Sequence, residues 1–230
     1  MRKILIVGAH PDDEILGVGG TLAKHAAQGD EVYACLLCEH VNARANKPEH
    51  TRFLEQVHAA KNIIGIKEIL FFDFPNIAMN TVPTLKIVQA IEEAIVRFKP
   101  EVVYTHHVGD VNDDHHVVFR ATMAAIRLPE RGNIPGLPRN LIKEVLSYET
   151  PSSTEWAAPL PAHAFLPNVF VNIRDFLDKK LQALSCYENV TKSYPHPRSV
   201  EAMRAKAKTT GVQAGLEAAE AFMLMRGLRI

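Results

Sequence analysis

Two segments far apart in the chain carry residues that could do chemistry together. His10-Pro11-Asp12-Asp13-Glu14 puts one imidazole and three carboxylates into five residues, and Pro11 stiffens the turn that presents them. Left idle, such carboxylates repel one another; a divalent cation offsets the repulsion and favours their ionised form. The second segment, Thr105-His106-His107-Val108-Gly109-Asp110-Val111-Asn112-Asp113-Asp114-His115-His116, holds four of the chain's eleven histidines within eleven positions. His10 and Asp13, joined by His115 or His116, make a set of two imidazoles and one carboxylate that leaves a position open for water, the pattern of a catalytic rather than a closed structural metal centre. Taken alone, the first segment reads equally well as a helix start, with Asp12 or Asp13 binding free amides. The second segment favours the metal.

The two segments can meet only if the chain brings both to one edge of a sheet. Residues 3–8 form a short aliphatic run closed by glycine and polar residues, as in a buried parallel strand. A helix over 14–28 follows, stopped by Gly29-Asp30, with Gly17, Gly19 and Gly20 allowing close approach to the sheet. Strands at 32–38, 68–72 and 102–105 then alternate with helices at 48–64, 82–98 and 114–127. This succession implies right-handed crossovers and an α/β fold, a doubly wound, mostly parallel sheet flanked by helices, in a single domain over 1–230. Both segments then leave the carboxyl ends of strands, where open α/β sheets bind ligands.

Later in the chain, 128–140 reads as a surface loop and 141–148 and 169–173 as strands. The stretch 150–167, with four prolines and the one tryptophan, reads as a long loop of the kind kept for binding or lids. Helices are expected at 174–190 and 199–224, joined rigidly by Ser193-Tyr194-Pro195-His196-Pro197-Arg198. The alanine-rich last helix offers a face for homo-oligomerisation.

Composition closes off other classes. Lys plus Arg and Asp plus Glu both number 26, so the net charge is zero and no field draws in nucleic acid or anionic membrane. No apolar stretch approaches the roughly 20 residues that span a bilayer, and Met1-Arg2-Lys3-Ile4-Leu5-Ile6-Val7 runs on without a cleavable signal pattern, so the expectation is a cytoplasmic protein. Cys35-Leu36-Leu37-Cys38 resembles a metal or redox motif but lies in an apolar strand, where residues three apart face opposite sides; both thiols are expected to be buried filler. A nucleotide-binding or methyl-transfer protein would want an open glycine turn where Pro11 and Asp12 stand. A serine hydrolase would want a Gly-x-Ser-x-Gly elbow, which the sequence lacks.

The motifs His10-Pro11-Asp12-Asp13-Glu14, Gly109-Asp110-Val111-Asn112-Asp113-Asp114-His115 and Pro195-His196-Pro197-Arg198-Ser199 resemble those of the LmbE-like, or PIG-L, zinc-dependent N-deacetylases. The resemblance runs from Lys3 to Phe222 and includes Thr150-Pro151-Ser152-Ser153-Thr154-Glu155-Trp156. It implies a Rossmann-like fold and hydrolytic removal of acetyl from an N-acetylglucosamine-type sugar or its conjugate. It assigns a zinc ion, with iron or cobalt as substitutes, to His10, Asp13 and His115, and the general-base role to Asp12. Asp114 is expected to orient a histidine and His116 to pack against or cap its helix. Asn112 stands where many members have an oxyanion-side histidine; it can donate a hydrogen bond but supplies no proton. His196 is expected to fill that need, with Arg198 beside it to anchor substrate. Asn76 stands where members often carry an acid for sugar hydroxyls, and Arg52 matches a substrate arginine, its alternative being an ion pair with Glu49 or Glu55. The competing functional reading is a catalytically silent metal-binding or assembly protein on the same fold.

Overall fold

The computed structural model describes residues 1–38, 50–131 and 134–229. Strands β1 (Lys3–Gly8), β2 (Glu31–Leu36), β3 (Glu68–Phe71), β4 (Val102–His106), β5 (Glu144–Tyr148), β6 (Val169–Asn172) and β7 (Ala219–Gly227) form one sheet in the order β3-β2-β1-β4-β5-β7-β6. The first five pair in parallel, with Val7 opposite Cys35 and Ile6 opposite Tyr104. β7 runs antiparallel between β5 and β6. Strand order reverses between β1 and β4, which opens a crevice at their carboxyl ends.

Helices α1 (Asp13–Ala27), α2 (His50–Ile64), α3 (Thr84–Phe98), α4 (Asp113–Ala125), the single turn α5 (Leu128–Arg131), α6 (Leu177–Leu184) and α7 (Val200–Val212) flank the sheet. The two-residue period of β1 sorts them into layers. Ile4 and Ile6 pack with Ile15 of α1, Val57 of α2, Leu181 of α6 and Met203 of α7. Leu5 and Val7 pack with Ile91 and Ile95 of α3 and Val118 of α4. With both faces covered, β1 is apolar at every interior position. A Cβ on Gly17 would stand 2.2 Å from Tyr148 Cδ2, so only glycine lets α1 lie this close to β5.

Several expectations are corrected. The helix read over 199–224 ends at Val212, and its second half is β7. Alanine favours helix intrinsically, but β7 has strand partners on both sides, and that pairing overrides propensity. Of the alanines expected on that helix, Ala219 and Ala221 are buried in an interior strand, which leaves α7 alone to carry a self-association face. The helix read over 174–190 is only α6, preceded by a 3-10 turn at Arg174–Phe176. The expected start of α2 at Pro48 lies outside the described residues. Cys35 and Cys38 are both buried, as expected, but β2 ends at Leu36, so Cys38 lies beyond it and shares one apolar cluster with Cys35. Among the described residues, no helix is long and apolar enough to cross a membrane.

Candidate active site

Between β1 and α1 the chain turns through Asp12, whose φ of 125° is rare for any residue with a Cβ. Its amide donates to Glu14 Oε2 at 3.0 Å, and Tyr187 Oη donates to Glu14 Oε1 at 2.9 Å, so a buried carboxylate holds the unusual backbone in place. Burial pushes the Glu14 carboxyl up to about 7. The torsion separates two neighbouring acids. Asp13 turns inward, 1% exposed, and accepts the His10 amide at 2.8 Å. Asp12 faces the crevice, its Oδ2 3.5 Å from Arg198 Nη1. It forms no side-chain cap on α1, so the alternative reading of Asp12 as an N-cap is set aside.

β4 and the start of α4 deliver the second segment to the same place. His10, Asp13 and His115 can each offer a ligand atom such that all three lie within 4.8 Å of one another. His10 Nε2 is 2.9 Å from Asp114 Oδ2, leaving Nδ1 3.4 Å from Asp13 Oδ2. His115 Nδ1 is 3.2 Å from Asp110 Oδ1, leaving Nε2 3.5 Å from Asp13 Oδ1. A carboxylate at the far nitrogen of each imidazole aims the other nitrogen's lone pair inward, as metal-binding histidines require.

Those two carboxylates are themselves anchored. Asp114 accepts the Ile77 amide at 2.6 Å and the Met79 amide at 3.0 Å, tying the loop after β3 to His10. Asp110 accepts Thr154 Oγ1 at 2.7 Å, the Asn112 amide at 2.8 Å and, at close range, Ser153 Oγ. His106 stacks on His115 with ring centroids 3.8 Å apart. The Ala9 amide donates to His106 Nε2 at 3.0 Å, and burial drives that imidazole down to about 4.

The charges test whether a metal fits. Burial opposes charge on His10, yet Asp114 and Asp13 raise its imidazole to about 9. Burial likewise opposes charge on His115, yet Asp13 and Asp110 raise it to about 10. Asp13 is itself held well below the usual carboxylate range, because His115 and His106 outweigh its burial. The pocket thus accommodates two positive charges, which one divalent ion would supply in place of two imidazole protons. Two imidazoles, one carboxylate and an open side fit zinc or a similar divalent ion.

Above this floor is an open cleft. Phe53 and Gln56 of α2, Tyr187, Asn189, Val190, Asn76, Ile77 and Asn112 line it. Arg198 reaches the cleft, also donating to Ser152 Oγ at 2.6 Å and Pro151 O at 3.1 Å. Asn112 caps α4 by accepting the Asp114 amide at 2.9 Å, which leaves its amide nitrogen uncommitted to that cap. Other expected residues are not brought in. Arg52 is exposed and pairs with Glu188 at 2.5 Å; of its two expected partners, Glu49 lies outside the described residues. His196 does not line the cleft; its Nδ1 accepts the Arg198 amide at 3.0 Å. His116 packs back on the Asp110 carbonyl, as expected of a residue at the helix start.

Sequence reasoning assigned no role to Asp110, Glu14 or His106, although all three stand in or beside the quoted motifs. The 150–167 loop packs against the second motif. Ser153 and Thr154 brace Asp110, and His163 O lies 2.9 Å from His107 Nε2. A Cβ on Gly109 would stand 2.2 Å from His163 O, so the loop needs glycine there to seat against the second motif.

Residues 5–126 match the family model described as PIG-L, GlcNAc-PI de-N-acetylase. The uncharacterized deacetylase YaiS of Escherichia coli K12 is 29% identical over 194 residues, covering 82% of this chain and 91% of that protein. Diacetylchitobiose deacetylase of Thermococcus kodakarensis is 26% identical over 194 residues, covering 82% and 70%. Among solved structures, GalB, the 4-carboxy-2-hydroxymuconate hydratase of Pseudomonas putida KT2440, has a TM-score of 0.79 at 23% identity, covering 100% of this chain and 98% of its own. Likeness at that identity shows the fold alone, and a hydratase on the same trace means that the reaction must be read from the site.

Proposed function

This chain belongs to the PIG-L de-N-acetylase family, and on that premise we propose that it hydrolyses the acetamide of an N-acetylglucosamine-type amino sugar or its conjugate, with Asp12 as general base. The observation that carries the reading is the divergence of two neighbouring carboxylates, Asp13 among the imidazoles and Asp12 toward the cleft. A purely structural metal site has no use for the second.

When bound, a divalent ion, zinc by the mixed nitrogen and oxygen donors, supplies Lewis acidity toward the acetyl oxygen and toward water. His10, Asp13 and His115 hold it, with Asp114 and Asp110 orienting the imidazoles. Asp12 takes the proton of the attacking water on a carboxylate oxygen and returns it to the departing amine nitrogen. That shuttle replaces the expected role of His196, which stands outside the cleft lining. Arg198 stays beside Asp12 and favours its ionised form between turnovers. Asn112 turns its free amide nitrogen to the acetyl oxygen as charge builds there. Asn76 serves sugar hydroxyls from the cleft lining.

Acetate release from a panel of N-acetyl amino sugars tests the reading. Asp12→Asn keeps the size of the side chain and removes the proton acceptor, so turnover falls at least about a hundredfold while metal content holds. Near-normal turnover in that variant sinks the mechanism.

A further inference from the structure

An amide donor in the cleft has no hydrogen-bond partner among the described residues. Gln56 Nε2 is buried and makes no hydrogen bond to any described residue, although its side chain lines the same cleft as the His10, Asp13 and His115 cluster. A buried amide donor left without a partner costs stability, and native structures keep few of them without a use. The backbone explains how it comes to be there. Phe53 and Gln56 lie three residues apart on α2 and so share one helical stripe, while Arg52 is drawn outward to Glu188.

We infer that Gln56 determines substrate specificity by donating from Nε2 to a hydroxyl oxygen of the sugar whose acetamide lies against the His10, Asp13 and His115 cluster. The inference rests on the amino-sugar reading above and adds the chemical class of the group recognised, an uncharged hydroxyl of a pyranose ring. The donor is a neutral amide, matched to a neutral acceptor. Phe53 and Val190 beside it offer apolar surface to the C–H faces of such a ring. Arg198, the guanidinium that lines this cleft, is already directed at Asp12, Ser152 and the Pro151 carbonyl. An orphaned donor is a sacrifice of stability for binding, so its removal should move the two in opposite directions.

Steady-state kinetics on N,N′-diacetylchitobiose and N-acetylglucosamine, with urea unfolding of the ligand-free protein, read both. Gln56→Met removes the donor and keeps the length of the side chain. KM rises about five- to tenfold, the equivalent of one neutral hydrogen bond. The kcat and metal content stay within about twofold, and the urea midpoint equals or exceeds that of wild type. Gln56→Leu repeats the measurement in a second apolar background. Unchanged KM, or a fall in urea midpoint in both variants, overturns the inference, the latter because it marks a structural partner for Gln56. Wild-type turnover reports on the amino-sugar reading by itself: its absence overturns both, whereas a normal wild type with an unshifted Gln56→Met overturns this inference alone.

Discussion

With φ at 125°, Asp12 sends its carboxylate away from Asp13, and the bond from its amide to Glu14 holds that torsion. Roles at this scale are set by which atoms are left over after local bonds are made. His115→Ala deletes one of three ligands, and metal analysis of purified protein should show clear loss; equal occupancy removes His115 from the ligand set. Asp110→Asn keeps a side chain of the same size facing His115 but no longer offers charge, so metal affinity in a competition titration should weaken about 10- to 100-fold. Unchanged affinity would make Asp110 a purely structural brace. Types and spacing sufficed to nominate His10, Asp13 and one of His115 and His116, while the family resemblance singled out His115 and gave Asp12 its role. Asp110 was not legible as a support, since its partners Ser153 and Thr154 lie 43 and 44 residues away in a loop whose packing no local pattern encodes. Arg198, expected to anchor substrate, stands beside Asp12, whereas His196 turns its Nδ1 to the Arg198 amide, a contact set by the turn rather than by any local pattern.

Element by element, the parallel half of the sheet was legible because each strand and helix buries an unmistakable apolar run. Near the end of the chain β6 was legible as the run 169–173, but β7 was not, because it is defined by its pairing partners on both sides rather than by composition. One long-range contact shows what β7 contributes. Glu220 on β7 accepts the amides of Gly20 at 3.0 Å and Thr21 at 2.7 Å on α1, and forms a buried ion pair with Lys180 of α6 at 2.6 Å. Lys180 also donates to Leu16 O at 2.8 Å, the carbonyl that a regular helix pairs with the Gly20 amide. The pair therefore grips α1 at one rung, a turn beyond Asp13. Lys180→Met strands a buried carboxylate and should cost about 3–5 kcal/mol. The double variant Lys180→Met with Glu220→Gln strands no charge, so a urea double-mutant cycle should give clearly less than the sum of the single costs. Additive losses would show that the two charges do not act as a unit.

Over the whole molecule, acid sensitivity has a source well away from the cleft. His25 on α1 lies 2.9 Å from Asp30 and 3.1 Å from Tyr104 Oη, with Arg2 at 3.3 Å and Lys24 beside it in sequence. Burial is the largest influence and, helped by Arg2 and Lys24 against Asp30, it lowers the imidazole below its ordinary 6.5. In the unfolded chain His25 takes up a proton near that value, whereas the folded chain resists it. Its contribution to stability is therefore complete above pH 6.5 and declines as pH falls through the lowered value. Urea unfolding at pH 7.5 and 5.5 should show a smaller loss on acidification in His25→Gln than in wild type; equal losses would assign the slope elsewhere.

The position of β7 also bears on when the protein becomes competent. A ribosome releases both catalytic motifs, and β6, well before it releases β7. Until then β6 lacks the strand it pairs with, and Lys180 lacks its counter-ion against α1. A nascent chain that stops short of Ala219 would carry Asp13 on a helix whose Gly20 and Thr21 amides still lack the Glu220 carboxylate. The architecture thereby makes release of β7 a condition of a finished catalytic centre, some two hundred residues along the chain from the Gly20 and Thr21 amides it holds.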